Sequence, residues 1–266
     1  MKTKLAKTFV IATVAPRIDG LKNLVKQINL LYPEWQVSIV AQQYTKPQKD
    51  DLEAFLKSGA NKYNVEYHEN LIGAHTSKVH AIKNMPADVY CSLDDDMELC
   101  ALTKYDEIVK KLFSDRGIGI ITGNWVRTFE QIESKKISDD LVKQKLVFTG
   151  GGLLFRSDVA KIICGIPDKE YLFDDCLWAV YAYVNGYENY RYMGSLAVHH
   201  ICGKNGLRTW IETGNKKVLP PEEYLRVRKG HGKEHSYNEY LICTDSDVTK
   251  IARSMHEMNK LRFKKK

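Results

Sequence analysis

The chain has 266 residues, of which 44% are hydrophobic and 27% charged, enough for one large domain or one domain with an appendage. Its formal charge is +7, and it is unevenly spread: residues 1–203 hold 25 Lys+Arg against 25 Asp+Glu, and residues 204–266 hold 15 against 8. No run approaches the ~18 apolar residues of a spanning helix, and the six cysteines show no CxxC pair or metal spacing, which suits reduced thiols in the cytoplasm.

Lys2, Lys4 and Lys7 precede an apolar stretch at 9–15. It is short for the ~7–15-residue core of a signal peptide, and Pro16 stands where cleavage would fall, so it reads as a first buried strand. Residues 20–32 carry Leu21, Leu24, Val25, Ile28 and Leu31, the period of a helix packed on a sheet. A second strand is predicted at 37–41, a helix at 48–57, a weak strand at 64–67, a helix at 77–84 and a fourth strand at 89–93. A helix near 102–113 and a strand at 118–122 follow. This alternation predicts an α/β fold with a mostly parallel central sheet and helices on both faces. The polar stretch 128–145 reads as a loop or excursion over the site.

Four constellations carry chemistry. The strand at 89–93 ends in Asp94, Asp95 and Asp96. Three adjacent carboxylates repel one another unless a hard divalent cation neutralises them, although an acidic turn or helix cap is the plain alternative. Gly150, Gly151 and Gly152 adjoin a strand, which allows either close approach of backbone to a ligand or a tight bend. Asp174 and Asp175 open a helix running to about Asn185, where acids also suit the helix dipole. His199 and His200 end a strand, as metal ligands or as packed core residues.

Taken in order, an acidic strand tip, a Gly-rich strand, an acidic helix start and a strand-end histidine resemble the GT-A glycosyltransferases, in particular the inverting family 2 group. The segment from Asn70 to Lys78 resembles that group's N-x-G-x-x-x-A-R/K stretch, although Val79 stands where Asn often follows. Asp94-Asp95-Asp96 resembles the Asp-x-Asp motif, Gly151-Gly152 the GG segment, Asp174-Asp175 the acidic pair before the acceptor-side helix, and His200 with Gly203 the late metal ligand.

The resemblance implies a catalytic domain over 1–203 and a basic, partly helical C-terminal extension over 204–266. It implies a nucleotide diphosphate sugar as donor, a UDP-sugar first, and Mn²⁺ or Mg²⁺ held by Asp96 with Asp94 and His200, or His199 in its place. Thr13, Ala15 and Pro16 would border the nucleoside, Gln43 would read the base edge, Lys78 would meet the phosphates, and Asp94, Asp95, Gly151 and Gly152 would line the donor side. Asp175, or Asp174 next to it, would be the general base, and Trp178 would stack on a ring of the acceptor.

The resemblance implies a glycan as acceptor, and the basic C-terminal quarter adds a phosphate-rich polymer as an expectation. In one version the enzyme is of phage type, adds sugar to a hydroxymethylated DNA base, and grips the backbone with Arg226, Arg228 and Lys229. A peripheral anchor on an anionic membrane is the rival for the same basic segment. A nucleotidyltransferase is a weaker alternative, because the turn from Ala15 to Gly20 is poor in the glycines and basic groups that bind a triphosphate. A binding module with a decayed core is disfavoured by the joint presence of Asp96, Asp175 and His200.

Overall fold

In a computed structural model, the structure describes residues 5–126, 128–144, 151–166 and 174–199. Among these residues a nine-stranded sheet runs in the order β3-β2-β1-β4-β8-β6-β9-β5, with β7 paired to β9. Its first half is β1 (Lys7–Val14), β2 (Gln36–Gln42), β3 (Tyr63–His68) and β4 (Val89–Asp94), all parallel. Its second half is β5 (Met97–Glu98), β6 (Ile118–Val126), β7 (Leu141–Gln144), β8 (Gly151–Arg156) and β9 (Glu188–His199). There only the β6–β9 pairing is parallel, and β8 runs antiparallel to both β4 and β6.

Side chains alternate across the strands, as the two-residue period of a strand requires. Phe9 and Ile11 of β1 enter one core layer with Cys91 and Leu93 of β4. Val10 and Tyr90 enter the other. The first layer is closed by α1 (Ile18–Leu31), α2 (Lys46–Lys57) and α4 (Tyr105–Ser114). The second is closed by α3 (Ala74–Asn84), α5 (Ser157–Cys164) and α6 (Asp174–Val184). Helices therefore cover both faces. On α1 the buried residues are Leu21, Leu24, Val25 and Ile28, and burial of each contributes about 1.5–3 kcal/mol. Among the described residues, no helix is long and apolar enough to cross a membrane.

The expected elements are present with shifted ends. Helix α3 begins at Ala74, three residues before the predicted start, and α2 begins at Lys46, where the Gln48 side chain accepts from the Thr45 N–H at 3.0 Å. The stretch read as an excursion contains a short 3-10 turn at Phe129–Gln131 and the edge strand β7. Helix α5 and the greater part of β9 were not anticipated. Strand β9 begins Glu188-Asn189-Tyr190-Arg191-Tyr192, a polar and aromatic run without a clear apolar alternation.

Candidate active site

The sheet brings the acidic tip and the late histidine together by register. Strand β5 follows the three aspartates directly, and its Met97 pairs with His199 at the end of β9. His199 Nε2 consequently lies 3.0 Å from Asp96 Oδ1 and 3.5 Å from Asp94 Oδ2. One ligand atom each from Asp94, Asp96 and His199 fall within 4.8 Å of one another. Two carboxylates and an imidazole suit a hard to borderline divalent cation such as Mn²⁺ or Mg²⁺.

Two cations of the chain itself hold the acidic tip in place. Arg17, from the 3-10 turn Ala15–Arg17 after β1, pairs with Asp95 through Nη1 and lies 3.6 Å from Asp96 Oδ2. Asp95 is buried, and desolvation holds its carboxyl above the ordinary range despite Arg17 and Thr13. Burial also pushes Asp96 upward, but hydrogen bonding to His199 and the charges of His199 and Arg17 outweigh it, and Asp96 titrates below the usual range. Asp96 is thus held ionised while Asp95 is consumed by Arg17. Helix α1 closes over this tip so tightly that a Cβ on Gly20 would stand 2.9 Å from the Asp95 carbonyl oxygen.

Lys78 joins this cluster to the second pair of acids. It is almost fully buried on α3, and its Nζ lies 2.9 Å from both Asp94 Oδ1 and Asp174 Oδ2. The contact with Asp174 is an ion pair of poor hydrogen-bond alignment. Desolvation disfavours the ammonium, yet the charges of Asp174 and Asp94 more than compensate, and its pKa is raised. Asp174 and Asp175 are both buried at the start of α6. The strand tip and the acidic helix start are therefore within one ammonium of each other.

The remaining predicted residues divide. Thr13 is buried, with its Oγ1 3.2 Å from Tyr44 Oη, and Ala15 and Pro16 open the turn that carries Arg17. Gln43 follows β2 with φ at 61°, a left-handed conformation uncommon for a residue other than glycine. Its N–H donates to the His68 carbonyl at 2.7 Å. Gly151 and Gly152 have a packing reason of their own: a Cβ on Gly151 would stand 2.5 Å from the Gly123 backbone, and one on Gly152 would stand 2.8 Å from Tyr105 Oη, with φ at 79° besides.

Trp178 requires a correction. Its ring is fully buried, set edge-on to Phe155, and its Nε1 donates to His75 Nδ1 at 2.9 Å. A buried indole whose donor is already satisfied presents no face to an acceptor; Trp178 is core. His200, Gly150 and the basic residues Arg226, Arg228 and Lys229 lie outside the described residues. Arg17 is the site residue that sequence reasoning missed, and its position directly after the first strand, facing an acidic tip, was the available signal.

No family model and no curated protein matches the chain. Solved structures do. The chain is similar to the mannosyltransferase PcManGT from Pyrobaculum calidifontis in complex with GDP-Man and Mn²⁺, with TM-score 0.65 and 13% identity over 96% of this chain and 70% of that one. It is similar to S. aureus TarS 1-349 in complex with UDP-GlcNAc, with TM-score 0.59 and 11% identity over 95% and 88%. It also matches GalNAc-T7 with UDP, GalNAc and Mn²⁺, with TM-score 0.55 and 12% identity, covering 75% of this chain and 44% of that one.

The fold is that of the GT-A glycosyltransferases. In this fold the ends of the parallel strands form the ligand-binding edge, and here Asp94 ends β4, beside the end of β1.

Proposed function

We propose that the protein is a metal-dependent glycosyltransferase that moves a sugar from a nucleoside diphosphate sugar to an acceptor hydroxyl with inversion. The observation that carries this reading is the group Asp94, Asp96 and His199, joined through Lys78 to Asp174 at the head of α6. The GT-A fold supports it, as do the nucleotide and nucleotide-sugar complexes of the neighbours.

Asp94, Asp96 and His199 would hold the cation. When bound, Mn²⁺ or Mg²⁺ supplies Lewis-acid neutralisation of the diphosphate leaving group. Thr13, the Ala15–Pro16 turn and Gln43 border the nucleoside. Lys78 and Arg17 add fixed positive charge where the leaving group develops negative charge. Asp175, the second of the two acids that open α6, is the choice for the general base, with Asp174 the ion-pair partner of Lys78. Its carboxylate takes the acceptor hydroxyl proton as that oxygen attacks the anomeric carbon opposite the departing diphosphate. Asp175 is buried at the head of α6, where a carboxylate is shielded from bulk water.

For the donor, a UDP-sugar is the first choice, with GDP-mannose the natural second. For the acceptor, a glycan is the first choice; the net positive charge of residues 204–266 keeps a nucleic acid in contention. The test is incubation with labelled nucleotide sugars and Mn²⁺, scoring transfer to free glycans, lipid extract and DNA. Release or transfer of label from one donor supports the reading. Binding of nucleotide triphosphates with no turnover of any nucleotide sugar overturns it in favour of a nucleotidyltransferase.

A further inference from the structure

A second group of metal-ligating side chains lies away from the acidic tip. Glu66 and His68 are two residues apart on β3, so their side chains share one face of this edge strand. His80 projects toward them from α3. His68 Nε2 and His80 Nδ1 both approach Glu66 Oε1, at 2.7 Å and 2.9 Å, and one ligand atom from each residue lies within 4.8 Å of the others. The two imidazole rings stand 5.3 Å apart at 77°. Asn84, one helical turn beyond His80, donates to the other Glu66 oxygen.

We propose that Glu66, His68 and His80 form a second metal site that takes a borderline transition cation, Zn²⁺ first, and staples the edge strand β3 to α3. Two neutral imidazoles and one carboxylate are a common three-residue zinc set, leaving a fourth position to water. The donor sets of the two sites differ in kind. The imidazole-rich set favours zinc, whereas the carboxylate-rich set at Asp94, Asp96 and His199 suits Mn²⁺ or Mg²⁺. With both ring nitrogens on one carboxylate oxygen and all three donor atoms within 4.8 Å of one another, small outward shifts of the side chains admit a tetrahedral ion. Each ring must then carry its proton on the opposite nitrogen, an exchange with solvent that leaves both imidazoles neutral. Asn84 fixes the carboxylate from behind, as outer partners of ligating groups do. The three side chains are only partly buried, so the site is open to solvent. The same helix carries Lys78, two residues before His80, so the staple fixes the element that supplies the bridge to Asp94 and Asp174.

The test uses the metal-free full chain, titrated with Co²⁺ as a spectroscopic stand-in for zinc and then with Zn²⁺ in competition. The expected result is a strong visible absorption of a four-coordinate Co²⁺ that saturates at one ion per chain, apart from any weakly absorbing Co²⁺ at Asp94, Asp96 and His199, and that is displaced by Zn²⁺ and retained in Asp96→Ala. His68→Ala and His80→Ala each abolish the band or weaken binding by about tenfold or more, and Asn84→Ala weakens it by about tenfold. Zinc raises the melting temperature of the native chain and of Asp96→Ala but not of His68→Ala. Wild-type affinity and spectrum in both histidine variants would overturn the proposal, as would loss of the band in Asp96→Ala with retention in His68→Ala. Absence of any Co²⁺ band in the native chain would overturn it too. The glycosyl-transfer reading is tested separately, because no arm of this experiment measures turnover.

Discussion

His199 Nε2 stands 3.0 Å from Asp96 Oδ1, although 103 residues separate them in the chain. The pairing of Met97 with His199 across β5 and β9 fixes this contact, so the backbone ladder delivers the histidine to the acidic tip. A candidate ligand set held by strand register is preorganised for a cation.

Loss of either partner should therefore remove metal-dependent turnover. Asp96→Ala and His199→Ala are expected to lose donor turnover and Mn²⁺ affinity together. His200→Ala should retain both, because His199 already occupies the position beside Asp94 and Asp96. Metal titration by calorimetry and a donor-hydrolysis assay with and without chelator read both quantities. Full turnover in excess chelator would contradict the metal requirement. Loss of metal in His200→Ala with retention in His199→Ala would exchange the two histidines.

Asp175→Asn is nearly isosteric and cannot take a proton. Transfer should fall by about 10²-fold or more, the usual scale of general base catalysis, while nucleotide affinity stays near normal. Asp174→Asn should behave differently, because it strips Lys78 of one of its two carboxylates at 2.9 Å. That variant is expected to lose stability as well as activity. A calorimetric melt beside a single-turnover assay separates the two effects. Near-normal turnover in Asp175→Asn with a native melt would move the base elsewhere, to Asp174 first.

Lys78→Met tests the bridge itself. Removing the ammonium takes from Asp94 and Asp174 the one positive charge they share and sets a buried apolar chain between them. Breaking one side of a buried charge cluster costs about 3–5 kcal/mol, so the chemical-denaturation midpoint should drop markedly. A cation at Asp94 and Asp96 should restore part of that loss, and wild-type stability in the metal-free variant would show that Lys78 is not the bridge.

The strand and helix alternation of the first half was legible because each buried face repeats at its own period, as in Leu21, Leu24, Val25 and Ile28. The acidic tip, Asp174, Asp175 and the strand-end His199 were legible because charge at the end of an apolar run is costly without a task. What was hidden depends on tertiary register. Nothing in the polar start of β9 reveals that it lies between β6 and β5, and nothing local to Lys78 reveals its partners on β4 and α6. Trp178 misled for a similar reason: an aromatic just after two acids looks like a ligand platform until its donor is found on His75.

Alkaline pH should destabilise the protein progressively from about pH 10 upward. Burial raises the tyrosine pKa at Tyr32, Tyr44 and Tyr105, and pushes Tyr67 up to about 12. In the unfolded chain these phenols ionise near 10. Above that pH the unfolded state holds fewer protons than the folded state, so stability falls as pH rises. Lys78 acts with the same sign, because its raised pKa keeps a proton that the unfolded chain loses near 10.4. Absorbance titration should show part of the 15 tyrosines ionising only as the far-ultraviolet circular dichroism collapses. Smooth titration of all of them before any loss of secondary structure would contradict the burial argument.

The basic segment gives the last prediction, on the acceptor side. All of the net charge of +7 resides in residues 204–266, while residues 1–203 balance to zero. If a nucleic acid is the partner, basic groups there release counterions on binding, and affinity falls steeply with salt. Deleting Lys264, Lys265 and Lys266 should then weaken binding to a DNA duplex at low salt and flatten the slope of log K against log[salt]. Nucleotide-sugar affinity should not change, because every residue assigned to the donor belongs to the neutral region. An anionic membrane as partner moves the loss to vesicles containing phosphatidylserine and leaves the DNA curves superimposed. Titrating the full chain and the truncated chain against both probes at two salt concentrations distinguishes these outcomes. Coincident curves on both probes would remove the three terminal lysines from any role in recognition and leave Arg226, Arg228 and Lys229 as the basic residues to substitute next.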